Sequence, residues 1–354
     1  MRRLTRLFRW LKRDDGISLV LVGVCLATLL ALAGMAVDLG VVYAERRELR
    51  NGADAGALAI AADCGMGTRP CDEVTALATA EEYADANAWD GSSSIDGVEL
   101  TFTGLDTGWV RVRTRAWDAA AGESGVRVPL LSLLGFNRVQ VGAAATALFD
   151  HPGSGGGIPL IIGKCEFCTA IGGCPPGPGS IFGSGSQTTL VFKDPSQDPE
   201  AACPADPGGK DAPGSFGWLD TDGTMCWVET SIDLPQVADP GVSPSTGCDP
   251  ADLVAARQHP ILIPVYTKIC KNPNGTQCEG QAGGSNTYYY IEGYASYQMT
   301  AYYLGGQYRY PTGFSCNTGN SSDRCISGYF TTSELETGDT GGADFGVVLV
   351  KLTE

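Results

Sequence analysis

Apolar positions along this chain follow three successive patterns, and each predicts a different kind of element. Residues 17–37 read ISLVLVGVCLATLLALAGMAV, twenty-one positions without a charge. About 20 such residues cross roughly 30 Å of hydrocarbon as a helix, so this run predicts a transmembrane span. Beyond it Val42, Leu49, Ala53, Ala57 and Ile60 recur at helical spacing. The helix is therefore expected to continue to residue 62, about 69 Å at 1.5 Å per residue, with more than half of it beyond the bilayer. Gly40, Gly52 and Gly56 each cost an isolated helix about 1 kcal/mol against Ala. Ala53, Gly56, Ala57 and Ala59 also permit close approach of another helix, and ordinary core packing is the preferred reading of that face.

In the second pattern a short helix is followed by alternation. Residues 72–89 carry Val74, Leu77, Ala78, Tyr83 and Ala84 at helical spacing, with Asp72 and Glu73 at the positive end of the dipole. Residues 98–103 and 109–117 read as a hairpin around Asp106 and Gly108. Residues 129–135, PLLSLLG, read as a short helix with Pro at its start and Gly at its end, and residues 139–149 as a returning strand. HPGSGGG, residues 151–157, buries nothing by composition and reads as a flexible linker. Past it the third pattern is rich in strand formers, at 261–266, 287–303 (interrupted by Gly293) and 344–352. Residues 174–186, CPPGPGSIFGSGS, read as loop.

Charge assigns these patterns to compartments. The net charge is −16, yet Arg2, Arg3, Arg6, Arg9, Lys12 and Arg13 precede the span against only Asp14 and Asp15, which leaves −20 for the rest. Cations flanking a span stay inside and suit an anionic leaflet. The N-terminus is thus expected in the cytoplasm and the body outside a bacterial cytoplasmic membrane, which the chain crosses once. So acidic a body argues against nucleic acid. A cleavable signal peptide has an apolar core of about 7–15 residues, shorter than this run, and prepilin processing after Gly16 is opposed by Leu21, where pilins carry Glu. An uncleaved anchor is expected.

Twelve of thirteen cysteines lie beyond the span, Cys25 being inside it. The twelve are Cys64, Cys71, Cys165, Cys168, Cys174, Cys203, Cys226, Cys248, Cys270, Cys278, Cys316 and Cys325. An even count outside fits an oxidising compartment and up to six bridges. Cys64–Cys71, Cys270–Cys278 and Cys316–Cys325 are the expected pairs, since each brackets a short turn-rich segment. Cys165-x-x-Cys168 is alternatively a partial zinc site or a redox pair, although neither His151 nor His259 stands at ligand spacing to it.

Motifs for catalysis are missing. No serine sits in G-x-S-x-G. Asp220-Thr221-Asp222-Gly223 starts like a calcium loop but has Ser231 where the closing Glu belongs, so a turn is the better reading. No phosphate-cradling loop follows a strand. Neither an enzyme nor a bound cofactor or nucleotide is expected.

Asp38, Gly40, Tyr43, Arg46 and Leu49 lead into Ala53, Asp54, Ala55, Gly56, Ala57, Leu58 and Ala59. This segment resembles the Flp (Tad-type) pilus-assembly TadE/TadG-like family, whose signature is an apolar helix running into D-x-G-x-x-Y, Arg, Leu and an alanine-rich A-D-A-A-A-L-A; Gly56 replaces an alanine. The likeness extends through Leu133, Leu134 and Gly135 to the strand with Ala144, Ala145, Thr146 and Ala147. It implies a transmembrane helix (17–37) extended into a small pilin-like α+β domain (38–150); with the cytoplasmic basic segment (1–16), the linker (151–157) and the strand-rich, cysteine-rich remainder read as a mostly β, disulfide-rich outer domain (158–354), the whole is expected to be an α+β protein. It also implies an accessory or minor pilin-like role in Flp pilus assembly. Asp38, Gly40, Tyr43, Arg46, Leu49, Ala53 and Asp54 would then dock on pilins or other Tad proteins. A cell-surface adhesive or ligand-binding protein reusing the anchor is the rival reading. Some relatives carry a von Willebrand A-type domain, but this chain has no D-x-S-x-S motif.

Overall fold

A computed structural model describes residues 15–177, 179–192, 216–241, 243–274, 277–279, 287–316 and 323–353. The basic segment 1–14, Cys203 and the Cys278 side chain lie outside what is described. The two helical patterns form one uninterrupted helix, α1 (Asp15–Met66), about 78 Å long at 1.5 Å per residue. Among the described residues it is the one helix long and apolar enough to cross a membrane. Its first half has few tertiary partners, and Leu19 is 77% exposed. In its second half Leu49, Ala53, Ala57, Ile60 and Ala61 are buried.

What buries them is α2 (Glu73–Asn87) and a sheet. The Asp72 carboxylate caps α2 by accepting from the amides of Val74 at 3.0 Å and Thr75 at 2.9 Å. A Cβ on Gly52 would stand 3.0 Å from the Ala84 Cα, and one on Gly56 3.4 Å from the Ala80 Cα. The helix crossing is thus tight at Gly52 and at ordinary contact distance at Gly56. β1 (Ser93–Phe102) and β2 (Gly108–Asp118) form the expected hairpin, with Val98 opposite Val112 and Leu100 opposite Val110. Strand alternation turns Val110, Val112, Thr114 and Ala116 inward and leaves Arg111 and Arg115 exposed. The returning strand is interrupted after Arg138–Val139 and resumes as β3 (Gly142–Asp150), which pairs with β2.

The glycine run at 151–157 is not a flexible linker. His151 and Pro152 are buried, and Ser154–Gly157 forms β4, paired antiparallel with Val228–Ser231. A Cβ on Gly155 would meet Leu262 Cδ2 at 2.5 Å, and one on Gly156 would meet the Trp227 ring at 2.6 Å. These glycines serve close backbone approach, a use that composition cannot distinguish from flexibility.

The second sheet is built from β5 (Leu160–Gly163), β6 (Thr188–Phe192), β7 (Phe216–Leu219), β8 (Gln236–Asp239), β9 (Ile261–Asn274), β10 (Thr287–Gly305) and β11 (Arg324–Thr331). Pairings run β9–β5–β7–β8–β10, and β10 pairs back onto β9, closing a ring. Both faces of these strands are covered: Leu160, Ile162, Trp218 and Val265 join one apolar cluster with Phe167, while Ile161, Leu219, Tyr266 and Tyr294 join another. β10 runs on past the ring to pair with β11, which pairs with β6.

The remaining strands return to the first sheet. β12 (Ser333–Leu335) lies parallel to β13 (Val347–Thr353), and β13 pairs antiparallel with β3, so the order is β1–β2–β3–β13–β12. Val348 and Val350 enter the cluster beneath α1 and α2. Residues 333–335 and 347–353, expected in the outer domain, therefore complete the inner one. On the way the chain crosses β10 at Gly293, where a Cβ would stand 2.6 Å from the Ala343 carbonyl oxygen.

Disulfides join Cys64–Cys71, Cys168–Cys174, Cys226–Cys248 and Cys316–Cys325, and Cys165 and Cys270 are also disulfide-bonded. Two of the three expected pairs are formed; the third ends on Cys278, outside the described side chains. Cys168 bonds Cys174, not Cys165, so the C-x-x-C spacing is neither a redox pair nor a thiolate zinc site. Cys25 is the free cysteine among the described residues.

Candidate functional site

The residues expected to dock on partners divide into an exposed and a buried set. α1 leaves its apolar stretch at Asp38, which is 1% exposed and whose Oδ2 accepts from the Leu131 amide at 2.5 Å. Leu131 opens the short 3-10 turn Leu131–Leu134, closed by Gly135 at φ 92°. A Cβ on Gly34, about one turn below Asp38, would meet Leu130 Cδ1 at 3.2 Å. Leu49 and Ala53 are buried within the chain, and the Leu49 carbonyl accepts from Thr114 Oγ1 at 3.0 Å. This corrects the expected docking face: α2 and the inner sheet already cover Leu49 and the alanines. Asp54 is half-buried, and burial raises its carboxyl above the usual range against the lowering effect of Arg50.

Gly40, Tyr43 and Arg46 remain open to solvent, with Tyr43 72% exposed and nothing within 4 Å of a Cβ placed on Gly40. A groove of about 340 Å³, lined among others by Val41, Glu45, Asp90, Trp117, Asp118 and Arg127, lies on another side of α1. Burial, then the charges of Glu48 and Asp90, push the Glu45 carboxyl above the usual range. Trp89, at the rim of this acidic region, is 93% exposed while its amide donates to Glu48 at 2.8 Å. Sequence spacing missed this groove because it joins α1 to segments forty and more residues away. An aromatic and an acid just past the end of α2 were its only signal.

A second constellation lies at the far end of the hairpin. His151 Nε2 stands 3.3 Å from Asp106 Oδ2, and Nδ1 stands 3.2 Å from the Val347 carbonyl oxygen and 3.9 Å from Asp344 Oδ1. These three side chains are the one group among the described residues whose ligand atoms converge enough to hold a metal. The cluster ties the hairpin turn to the exit of β3 and the approach to β13. Spacing could not show it, since Asp106 and Asp344 meet only through the return of the chain. Asp222, by contrast, accepts from the Thr224 amide at 2.9 Å and hydroxyl at 2.7 Å, the turn expected there.

Burial raises the Asp344 carboxyl above the usual range, against the Gly346 amide and His151, which lower it; Asp106 adds to the rise. The folded chain thus holds this proton more tightly than the unfolded one. Its contribution to stability is present at low pH and is lost as pH rises through the folded value. Asp344→Asn stays neutral and can still accept from Gly346. The melting temperature of Asp344→Asn minus that of the parent is therefore expected to grow from pH 4 to pH 7, which thermal melts at both will check.

Residues 16–63, nearly the whole of α1, match the model of the family described as "Putative Flp pilus-assembly TadE/G-like", in agreement with the resemblance carried by Asp38 to Ala59. No curated protein and no solved structure matches the chain.

Proposed function

We propose that this protein is an accessory or minor pilin-like component in the assembly of Flp/Tad-type pili, held in the bacterial cytoplasmic membrane by the first half of α1. Its N-terminus lies inside and its two sheets lie outside. The role is structural rather than enzymatic. The observation that carries the reading is the coincidence of the family match at 16–63 with one continuous helix, bare over its apolar half and packed into a folded body over the rest. The six cations before residue 14 and the disulfides beyond the span support the orientation. Gly40, Tyr43 and Arg46, exposed on α1, are the surface offered to a pilin or a neighbouring assembly protein just outside the bilayer. Deletion of the gene is expected to reduce piliation, scored by electron microscopy, with pili restored by the parent gene. Normal pili in the deletion strain would remove the assembly role and favour the adhesive-surface reading. Recovery of the chain in sheared pili would place it in the fibre; retention in the membrane fraction would make it an accessory.

A further inference from the structure

We propose that residues 129–136 form a second membrane contact, a loop that inserts Leu130 and Phe136 into the edge of the hydrocarbon beside α1. This rests on the reading of α1 as a membrane span. The loop is pinned to the helix at two heights, with the Leu131 amide on the Asp38 carboxylate and Leu130 against Gly34. Gly34 lies three residues inside the end of the apolar stretch, about 6 Å deeper than Asp38 at 1.5 Å per residue. Leu130 is thus held at the depth of acyl chains if α1 spans the bilayer. Leu130 and Phe136 are 43% and 61% exposed, two large apolar side chains partly open to the surroundings on one short turn.

The backbone of the loop is also prepared for an apolar medium, where an unsatisfied polar group is costly. Leu131 donates to Asp38, Ser132 to the Val128 carbonyl, Gly135 to the Ser132 carbonyl and Phe136 to the Leu131 carbonyl, while the Ser132 hydroxyl donates to the Pro129 carbonyl. Asp38 itself is withdrawn from both water and lipid by that bond. The nearby Arg127 and Arg138 are engaged with Asp118 at 2.7 Å and 2.9 Å, so the occupant recognised is the acyl region and not a particular headgroup. Two points of contact would fix the tilt of the folded body on the membrane, which a single helix leaves free.

Photo-crosslinking in the native membrane separates this idea from the reading it rests on. p-Benzoylphenylalanine is placed in the full chain at Leu26, at Leu105 on the distal hairpin turn, or at Phe136, and adducts are identified by mass spectrometry. The Cys64–Cys71 disulfide serves as the check that each variant is folded. The expected result is lipid adducts at 26 and 136 in comparable yield and none above background at 105. Lipid adducts at 26 with none at 136, or protein adducts alone at 136, would overturn the loop contact while leaving the span intact. Absence of lipid adducts at 26 would overturn the span itself.

Discussion

Removal of residues 344–353 is expected to unfold the inner sheet and its helices, although the deletion lies far along the chain from every other strand in them except β12. β13 contributes Val347, Val348, Leu349 and Val350, none more than 2% exposed. Burial of a Val or Leu side chain contributes about 1.5–3 kcal/mol, so the four together supply roughly 6–12 kcal/mol. Domains of this kind are stable by only about 5–15 kcal/mol. The lost ladder to β3 and the exposed underside of α1, where a Cβ on Gly65 would already run into Val348, add to the loss. Amide hydrogen exchange in β1, β2 and β3 is the measurement. Protection retained in β3 after the deletion would mean that the sheet stands without β13.

Ala53→Glu is the second large effect. Ala53 is 0% exposed, in the α1 face crossed by α2, between Gly52 and Gly56. Overpacking costs about 1–3 kcal/mol, and an unpaired carboxylate taken from water adds several kcal/mol more unless it protonates. The expected outcome is a loss of about 3–5 kcal/mol in denaturant unfolding, combining those two effects, and fewer pili, with the chain still in the membrane because the first half of α1 is untouched. Glu81→Lys on the exposed side of α2 is the control; surface changes usually stay within about 0.5 kcal/mol. An Ala53→Glu chain as stable as the control would mean that the α1–α2 crossing yields more easily than its spacing indicates.

Legibility in the sequence followed the range of the interaction responsible. α1, α2 and the hairpin were readable because helical spacing, the acidic Asp72 and Glu73 at a helix start and turn formers at Asp106 and Gly108 act within a few residues. The 3-10 turn at Leu131–Leu134 was likewise marked by Pro129 and Gly135. Composition failed at 151–157, where glycines chosen for contact with Leu262 and Trp227 looked like a linker. It failed again at 344–352, where a strand pattern is visible but the sheet that receives it is not. The docking residues show the same limit. Helical spacing placed Leu49 and Ala53 on one apolar face, but whether a partner or the chain itself covers that face depends on β2, β3 and α2. Disulfides divided similarly: short turn-rich brackets pointed to Cys64–Cys71 and Cys316–Cys325, and nothing local pointed from Cys226 to Cys248.

The pairing of β13 with β3 also sets a timetable. In the proposed topology α1 and β1 to β3 cross the membrane early, whereas β13 follows only after the whole of the second sheet. At about 5–20 residues synthesised per second, that delay is on the order of ten seconds or more. Until it ends, β3 presents an open edge of the kind that recruits stray strands, held close to a crowded membrane surface. The inner body becomes whole only when residues 347–353 arrive, so a chain stalled part-way through export keeps its anchor but lacks the finished surface above it, and an assembly partner that reads that surface would pass it over.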